Sequence, residues 1–352
     1  MATRKRVIYQ SEALFVGPSG GGVAGSHPQI NRVQSANYSF EIARTDINEF
    51  GKLARIDSII VEQPTVSLDF SYFQTDGVNE ANLGLNVSAS NATATSALAN
   101  LLDGTQDVKN YYVYVSAEGK DAQGFTGTPQ CIGIGNGFLS SYSVEASVGD
   151  IPTTTINVEG LNMRFYNSVT SQPIPAVHPH DGSASADVFS LNTPTSVGTI
   201  SALRPGDVTL QLTGTNLIEG AVIDDLKIQS FTLSFDLSRE PLQKLGSKFA
   251  FSREMEFPIT ATLAVEAVLG DIEAENLATL INNDGALFNG TITMKEPTGG
   301  LVALIYSIRG MKLDSQDFSS SIGENKTVSL SFSTQVSSST DLTNGIFISL
   351  DV

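Results

Sequence analysis

Two histidines, His178 and His180, flank Pro179 and are followed by Asp181-Gly182. They are the nearest this chain comes to a metal-ligand cluster. A structural zinc site takes four ligands and a catalytic one three, usually with Cys or spaced His. The chain has three histidines in all, the third being His27, and a single cysteine, Cys131. The ligand count therefore points to an incidental loop, and no metal is expected. Gly133-Ile134-Gly135-Asn136-Gly137 lacks the G-x-G-x-x-G spacing and the following helix of a dinucleotide loop. Gly17 to Gly22 lacks the Lys-Ser/Thr of a phosphate loop. No Ser-His-Asp or Cys-His frame stands out, and no carboxylate pair is placed for acid/base work. The expectation is a chain that is not an enzyme and takes no cofactor.

The elements that would position any site are strands. The 352 residues are 41% hydrophobic and 16% charged, a globular composition with room for two units of ordinary size. Ser, Thr, Val, Gly and Asn are plentiful and Trp is absent, which favours strands and turns. No apolar run approaches the roughly 18 residues of a membrane helix, so no membrane partner is expected. Arg4-Lys5-Arg6 is followed by Tyr9-Gln10-Ser11-Glu12, which breaks the apolar stretch that export needs. One cysteine rules out an internal disulfide. Within Cys131-Ile132-Gly133-Ile134 it is expected to be a buried thiol. The formal net charge of −17 repels nucleic acid at long range and excludes a DNA-gripping protein.

An internal repeat organises the chain. Residues 32–51 and 227–246 align without a gap, with six identities in twenty positions, where chance gives about one or two. Leu139–Gly160 aligns with Leu313–Thr334 around Ser147-Val148-Gly149-Asp150 and Ser321-Ile322-Gly323-Glu324. Between these lie Leu98-Ala99-Asn100-Leu101-Leu102 and Leu277-Ala278-Thr279-Leu280-Ile281, each followed by Asp-Gly. The fold expected is mainly β, as two tandem β-sandwich domains related by duplication, each with a short flanking α-helix. The helices fall at about 94–102 and 272–282. The boundaries expected are an arm at 1–30 outside the core, domain one at 31–165, a connector at 166–222 and domain two at 223–352. The connector, rich in Ser, Thr, Pro and Gly, is given one or two strands of its own, such as Asp207 to Thr213.

Alternation assigns the faces. Tyr38, Phe40 and Ile42 point inward, against Ser35, Asn37, Ser39 and Glu41. The repeat sets Phe231, Leu233, Phe235 and Leu237 against Ser230, Thr232, Ser234 and Asp236. Next come Val66, Leu68, Phe70 and Tyr72, against Thr65, Ser67, Asp69 and Ser71. Their copies are Ile259, Ala261, Leu263 and Val265, against Thr260, Thr262, Ala264 and Glu266. The polar faces carry small hydroxyls and one acidic residue per strand. An ordinary solvent face mixes charges on long side chains. Such a face suits either the wall of a channel for a polyanion or a plain solvated sheet.

The links between paired strands look like single helical turns. Asp46 to Glu49 resembles a capping box closed by Gly51; Ser238 and Pro241 precede Gly246. Arg44 and Arg239 sit at the strand-to-turn junctions. They are placed either for salt bridges to a neighbouring subunit or for a local carbonyl or carboxylate.

The run Tyr38-Ser39-Phe40-Glu41-Ile42-Ala43-Arg44 with its Gly51 turn resembles the opening of the tail-tube proteins of tailed bacteriophages. So does the closing hairpin from Leu313-Asp314-Ser315 through Ser321-Ile322-Gly323-Glu324 to Thr327-Val328. The resemblance covers both repeats, about three-quarters of the chain. It implies a virion structural protein: a tail-tube subunit whose rings stack into a hollow tube that conducts DNA. The doubled chain implies three chains per pseudo-hexameric ring. It also implies tape-measure and terminator or tip proteins as partners, assembly in the bacterial cytoplasm, and a lumen lined by the polar faces named above. Two other readings stand beside it. One is the same fold as a tail-tip, baseplate or adaptor ring. The other is a receptor- or carbohydrate-binding β-sandwich, for which Tyr111, Tyr112 and Tyr114 are the aromatic candidates.

Overall fold

The computed structural model describes residues 11–351, apart from 24, 179–181, 197–201, 215–225, 248, 270–286, 298, 321–324 and 337. The protein is mainly β. The first half contributes β1 (Glu12–Pro18), β2 (Val33–Glu41), β3 (Arg44–Ile47), β4 (Asp57–Ile60), β5 (Thr65–Phe73), β6 (Val87–Ser88), β7 (Lys109–Val115), β8 (Gln130–Ser147), β9 (Thr153–Gly160) and β10 (Asn162–Tyr166). Two short strands follow, β11 (Gln172–Pro173) and β12 (Val188–Phe189). The second half adds β13 (Val208–Gly214), β14 (Lys227–Asp236), β15 (Arg239–Leu242), β16 (Ser252–Met255), β17 (Ile259–Val268), β18 (Phe288–Lys295), β19 (Val302–Ser319), β20 (Thr327–Val336) and β21 (Gly345–Ser349). Two short helices are α1 (Val78–Leu83) and α2 (Ala99–Leu102).

The central sheet runs β2-β5-β9-β8-β14-β17-β20-β19, continuous across both halves and antiparallel at every step. The two 18-residue strands, β8 and β19, each serve two sheets. Residues 130–137 of β8 pair with β7 and β10, and its later residues with β9 and β14. Likewise the start of β19 pairs with β18 and β21, and its end with β20. Both strands carry a β-bulge next to the change of sheet, at Leu139/Ser141 and at Leu313/Ser315. The extra residue of a bulge bends and twists a strand, which lets one strand fold over the core it covers. A single apolar cluster fills the space between the layers. It draws on both halves, from Leu68, Phe70 and Val158 to Leu263, Leu304 and Phe332.

Strand pairing repeats between the halves. Tyr38 faces Leu68, and Leu233 faces Leu263, so both partners advance along the chain by one common offset. The bulge at Val33/Ser35 recurs at Ile228/Ser230 with that same offset. Leu139 faces Val158, and Leu313 faces Phe332, with a second, slightly shorter offset shared by both partners. The hydrogen bond from Gln74 N to the Pro152 carbonyl recurs from Leu269 N to the Lys326 carbonyl. Its donor follows the first offset and its acceptor the second.

Three expectations change. The segment 1–30 is not, where described, an arm outside the core: Leu14, Phe15 and Val16 of β1 are buried, and β1 pairs with β7 as β13 pairs with β18. The Gly-rich composition of 17–22 hid a strand that ends at Pro18. The links at 46–51 and 238–246 are not helical turns. They belong to extended hairpins, β3 with β4 and β15 with β16. These share one register, Arg44 facing Ile60 as Arg239 faces Met255. Capping chemistry satisfies only local donors, whereas ladder pairing satisfies whole rows. Finally, alternation sets Phe40 and Ile42 toward a core, yet they are exposed where β2 ends. Of the two expected helices, α2 matches the end of the first, and the second lies outside the described residues. The connector is packed: Val169, Ile174, Ala176, Phe189 and Leu191 join Tyr112, Tyr114 and Cys131 in a second apolar cluster.

Candidate functional site

One face of the central sheet is polar from edge to edge. Directly opposed residues of antiparallel strands share a face, so the rows follow from the pairing. One row runs Ser35, Ser71, Thr155, Ser143, Ser234, Thr262, Ser333, Lys312. Another begins Asn37, Asp69, Asn157, Ser141, Asp236. Short side chains on this face bond directly opposed neighbours. Ser35 and Ser71 hydroxyls lie 2.7 Å apart, and Ser39 and Ser67 hydroxyls 2.8 Å apart. With its amide oriented to suit its neighbours, Asn157 donates to Asp69 at 2.9 Å and accepts from Ser141 at 2.6 Å. Glu41, Asp69, Glu145, Glu159, Asp236, Glu266 and Asp317 share this face. Among the described residues only Lys227, at the start of β14, and Lys312, where β19 enters the central sheet, oppose them there.

Ser35, Asn37, Ser39, Glu41, Asp69, Asp236, Thr260 and Glu266 are exposed on this face. Ser67, Ser71, Ser230, Thr232, Ser234 and Thr262 are half-buried between neighbouring strands. The geometry thus brings these fourteen positions onto one surface.

The two halves meet at β8 and β14. Phe231 faces Ala146, Leu233 faces Val144 and Phe235 faces Tyr142. The ladder is extended by Val148 N to the Gln229 carbonyl (2.9 Å) and Leu237 N to the Ser140 carbonyl (2.7 Å). The sheet then ends at β2 on one side and at residues 312–319 of β19 on the other. These are the strands that correspond, by the repeated pairing, to β14 and β8. Phe40 is 59% exposed, whereas Phe235 at the matching place in β14 is 2% exposed.

The hairpins differ in what they touch. The β3–β4 hairpin projects with Phe50 and Leu53 fully exposed, and Ile59, Ile60 and Val61 open to solvent. Gly51, at its tip, has φ 88°, and Gly246, at the tip of the other hairpin, has φ 85°; glycine adopts this left-handed conformation without penalty. The β15–β16 hairpin packs on the first half. There the Arg239 side chain, 7% exposed, lies 3.5 Å from Asp107 and stacks 4.4 Å from the Phe138 ring centre. Burial lowers the Arg239 pKa, and Asp107 acts against that. Arg253 lies over the same ring. So Arg239 takes a carboxylate in its own chain, while Arg44 stays exposed.

Sequence reasoning missed a buried polar cluster behind the seam. Glu80 on α1 is 1% exposed. Its Oε1 accepts from Tyr72 Oη (2.7 Å), Gln74 Nε2 (3.0 Å) and Tyr142 Oη (3.2 Å). Gln74 Nε2 also donates to Tyr306 Oη (2.6 Å), and Thr154 Oγ1 donates to Gln74 Oε1 (2.8 Å). Tyr142 and Tyr306 hydroxyls lie 2.7 Å apart. Each phenol has one proton. That of Tyr142 goes to Glu80, so Tyr306, which accepts from Gln74, donates to Tyr142. Burial raises the Glu80 pKa, and its hydrogen-bond donors only partly offset this. All partners but Tyr306 come from the first half.

Among the described residues no three His, Cys, Asp or Glu converge as a metal site. His27 is buried against Tyr112 and Phe189, and burial lowers its pKa. His178 is exposed; His180 lies outside the described residues. Cys131 is buried, and burial pushes its thiol pKa up, which suppresses the reactive thiolate. Tyr111, Tyr112 and Tyr114 are buried in β7, so they offer no aromatic platform to a sugar or receptor. No helix among the described residues is long and apolar enough to cross a membrane.

No family model matches the sequence, and no curated protein matches it. Among solved structures, similarity extends to a chain of the anti-feeding prophage baseplate at 11% identity and TM-score 0.28, over 40% of this chain and 91% of that one. A chain of the native gene transfer agent virion is similar at 15% identity and TM-score 0.25, over 39% of this chain and 96% of that one. A chain from the tail of the empty gene transfer agent particle gives 16% identity and TM-score 0.26, over 39% and 96%.

Proposed function

We propose that this chain is a structural subunit of a phage-like tail, and specifically a tail-tube subunit with an internally duplicated unit. Three copies would close a pseudo-sixfold ring, and rings would stack into a hollow tube. The observation that carries this is the β8–β14 seam. It joins the closing edge of the first half to the opening edge of the second, and leaves the same two kinds of edge open at the ends of the sheet. A rotation that takes one half onto the other can be repeated from chain to chain, which is how a head-to-tail interface generates a ring. Carrying the seam register by the repeat offsets sets Ala36 against Ser320, Tyr38 against Phe318 and Phe40 against Gln316 of the next chain. Unpaired strand edges recruit further strands, and exposed Phe40 and Phe318 are apolar groups that such pairing would cover.

In this reading the polar face forms the lumen. Its carboxylates and hydroxyls would let DNA pass without holding it, because like charge repels and no cationic patch releases counterions. Arg44 and Gly51, on the projecting hairpin, would then lie at contacts between subunits. The particle would be a virion assembled in the bacterial cytoplasm, with tape-measure and terminator or tip proteins as partners. Negative-stain electron microscopy of the purified protein tests the proposal. Stacked rings with threefold or pseudo-sixfold symmetry are expected. Monomers at every concentration would overturn it, and isolated single rings would move the assignment to a tail-tip or adaptor ring.

A further inference from the structure

The Glu80 cluster lies where a chain's own halves join. Its described counterparts at the chain-to-chain junction of the proposed ring follow from the repeated pairing. Tyr72 corresponds to Ala267, since Tyr72 faces Thr154 and Ala267 faces Val328. Gln74 corresponds to Leu269 through the matching backbone bonds to Pro152 and Lys326. Tyr142 corresponds to Gln316, with Ile156 and Leu330 as the facing partners. Tyr306 corresponds to Ile132, with Ile292 and Val113 as the facing partners. The position matching Glu80 lies outside the described residues. Thus, among the described positions, three phenols, an amide and a hydroxyl stand at one junction, and alanine, leucine, valine, isoleucine and one glutamine stand at the matching places of the other. Ile132 is only half-buried in the single chain, as a surface awaiting cover would be.

We propose that the Glu80 cluster is the residue set that decides which edges pair. It makes β8 accept its own chain's β14 and reject the β2 edge of a second copy. The physical reason is complementarity. Tyr306 supplies the one group from the second half that the first half's cluster needs, accepting from Gln74 and donating to Tyr142. If another chain's first half docked on β8 instead, Ile132 would stand where Tyr306 stands. Gln74 would then lose a buried acceptor and Tyr142 a buried donor. Such buried groups are costly to leave unmatched. A polar group buried at one position of an apolar interface is a known means of fixing register and partner.

The proposal goes beyond the ring reading and is tested separately from it. Ser143 and Ser234 face each other across the seam on the polar face. In the full-length chain, Ser143→Cys and Ser234→Cys are joined by a short bismaleimide, with Cys131 buried and unreactive. With the wild-type cluster, the link is expected within one chain, giving a faster-migrating monomer. With Tyr306→Phe and Glu80→Gln together, halves exchange between molecules, and the fraction linked as dimers and higher ladders rises at least several-fold. A variant that folds and still links only within one chain overturns the proposal. If the double variant does not fold, Tyr306→Phe alone, which removes one hydroxyl and little volume, decides. Dimer ladders support the proposal, and a wholly intrachain pattern overturns it. Absence of rings by microscopy would sink the tail-tube reading and leave this pattern unchanged.

Discussion

Tyr142 and Tyr306, 164 residues apart in sequence, meet hydroxyl to hydroxyl at 2.7 Å across the line where the two halves join. Both rings are buried; Tyr142 donates to Glu80 directly, and Tyr306 accepts from Gln74, whose amide also donates to Glu80. Tyr306→Phe leaves Gln74 without one acceptor and Tyr142 without one donor. We expect a loss of about 1–3 kcal/mol in chemical denaturation. Tyr142→Phe combined with Tyr306→Phe should cost less than the sum of the two, because directly coupled residues are non-additive.

Glu80 gives the stability a pH dependence of definite sign. Burial raises its pKa above the ordinary 4.5. The native state therefore keeps a proton that the unfolded chain releases. Its contribution is fully present below the ordinary carboxylate range and is lost as pH rises through the raised value. The titratable groups facing it are Tyr72, Tyr142 and Tyr306, whose own pKa values are pushed up and which stay neutral throughout. The melting temperature of the wild type minus that of Glu80→Gln should fall between pH 4 and pH 8. A difference that is flat or rises over that range contradicts this assignment.

Phe40 and Phe235 hold corresponding places with opposite exposure, so one substitution should act in two ways. Phe40→Lys should leave the melting temperature within a few degrees and abolish higher assembly in sedimentation velocity, since charge on an open edge blocks strand addition. Phe235→Lys places a charge in the core and should prevent folding. If Phe40→Lys assembles as the wild type does, β2 is not a junction.

Cysteine at Asp69, Asp236 or Glu266 should react with a bulky maleimide in the dissociated protein and, with rings stacked as proposed, be shielded in the tube. Cysteine at Phe165, exposed on β10 away from the polar face, provides a comparison site. Equal labelling of the acidic positions before and after assembly would place them outside the lumen.

Arg239→Ala removes a partner of Asp107 and a cation stacked on Phe138, and should cost about 1–2 kcal/mol. Arg44→Ala, at the corresponding but exposed position, should change unfolding by less than about 0.5 kcal/mol. Its effect, if any, belongs to assembly, read as a shift in the protein concentration at which rings form.

Much of this architecture was legible in local alternation. Leu68 and Leu263 announce a buried face because every second residue around them is apolar, and a strand exposes its two faces alternately. The bulges at Val33/Ser35 and Ile228/Ser230 leave no such mark, because one extra residue changes pairing without changing composition. Asp46 to Glu49 satisfies the local rule for a helix start, but pairing with 57–60 from across a turn overrides that propensity. Glu80 was invisible for another reason. Next to Asn79 in a six-residue helix it looks like any surface carboxylate. Its partners Tyr72, Tyr142 and Tyr306 are brought to it only by the folded sheet, so no spacing in the sequence signals the cluster.

The seam between β8 and β14 also has a consequence in mass action. Two strands of one chain meet in a unimolecular step whose effective concentration is set by the connection between them, not by how much protein is present. In the proposed ring, contacts through β2 and the end of β19 would be bimolecular and weaken on dilution. Every second junction around such a ring would therefore be insensitive to concentration, leaving one docking event per chain, instead of two, for assembly to regulate.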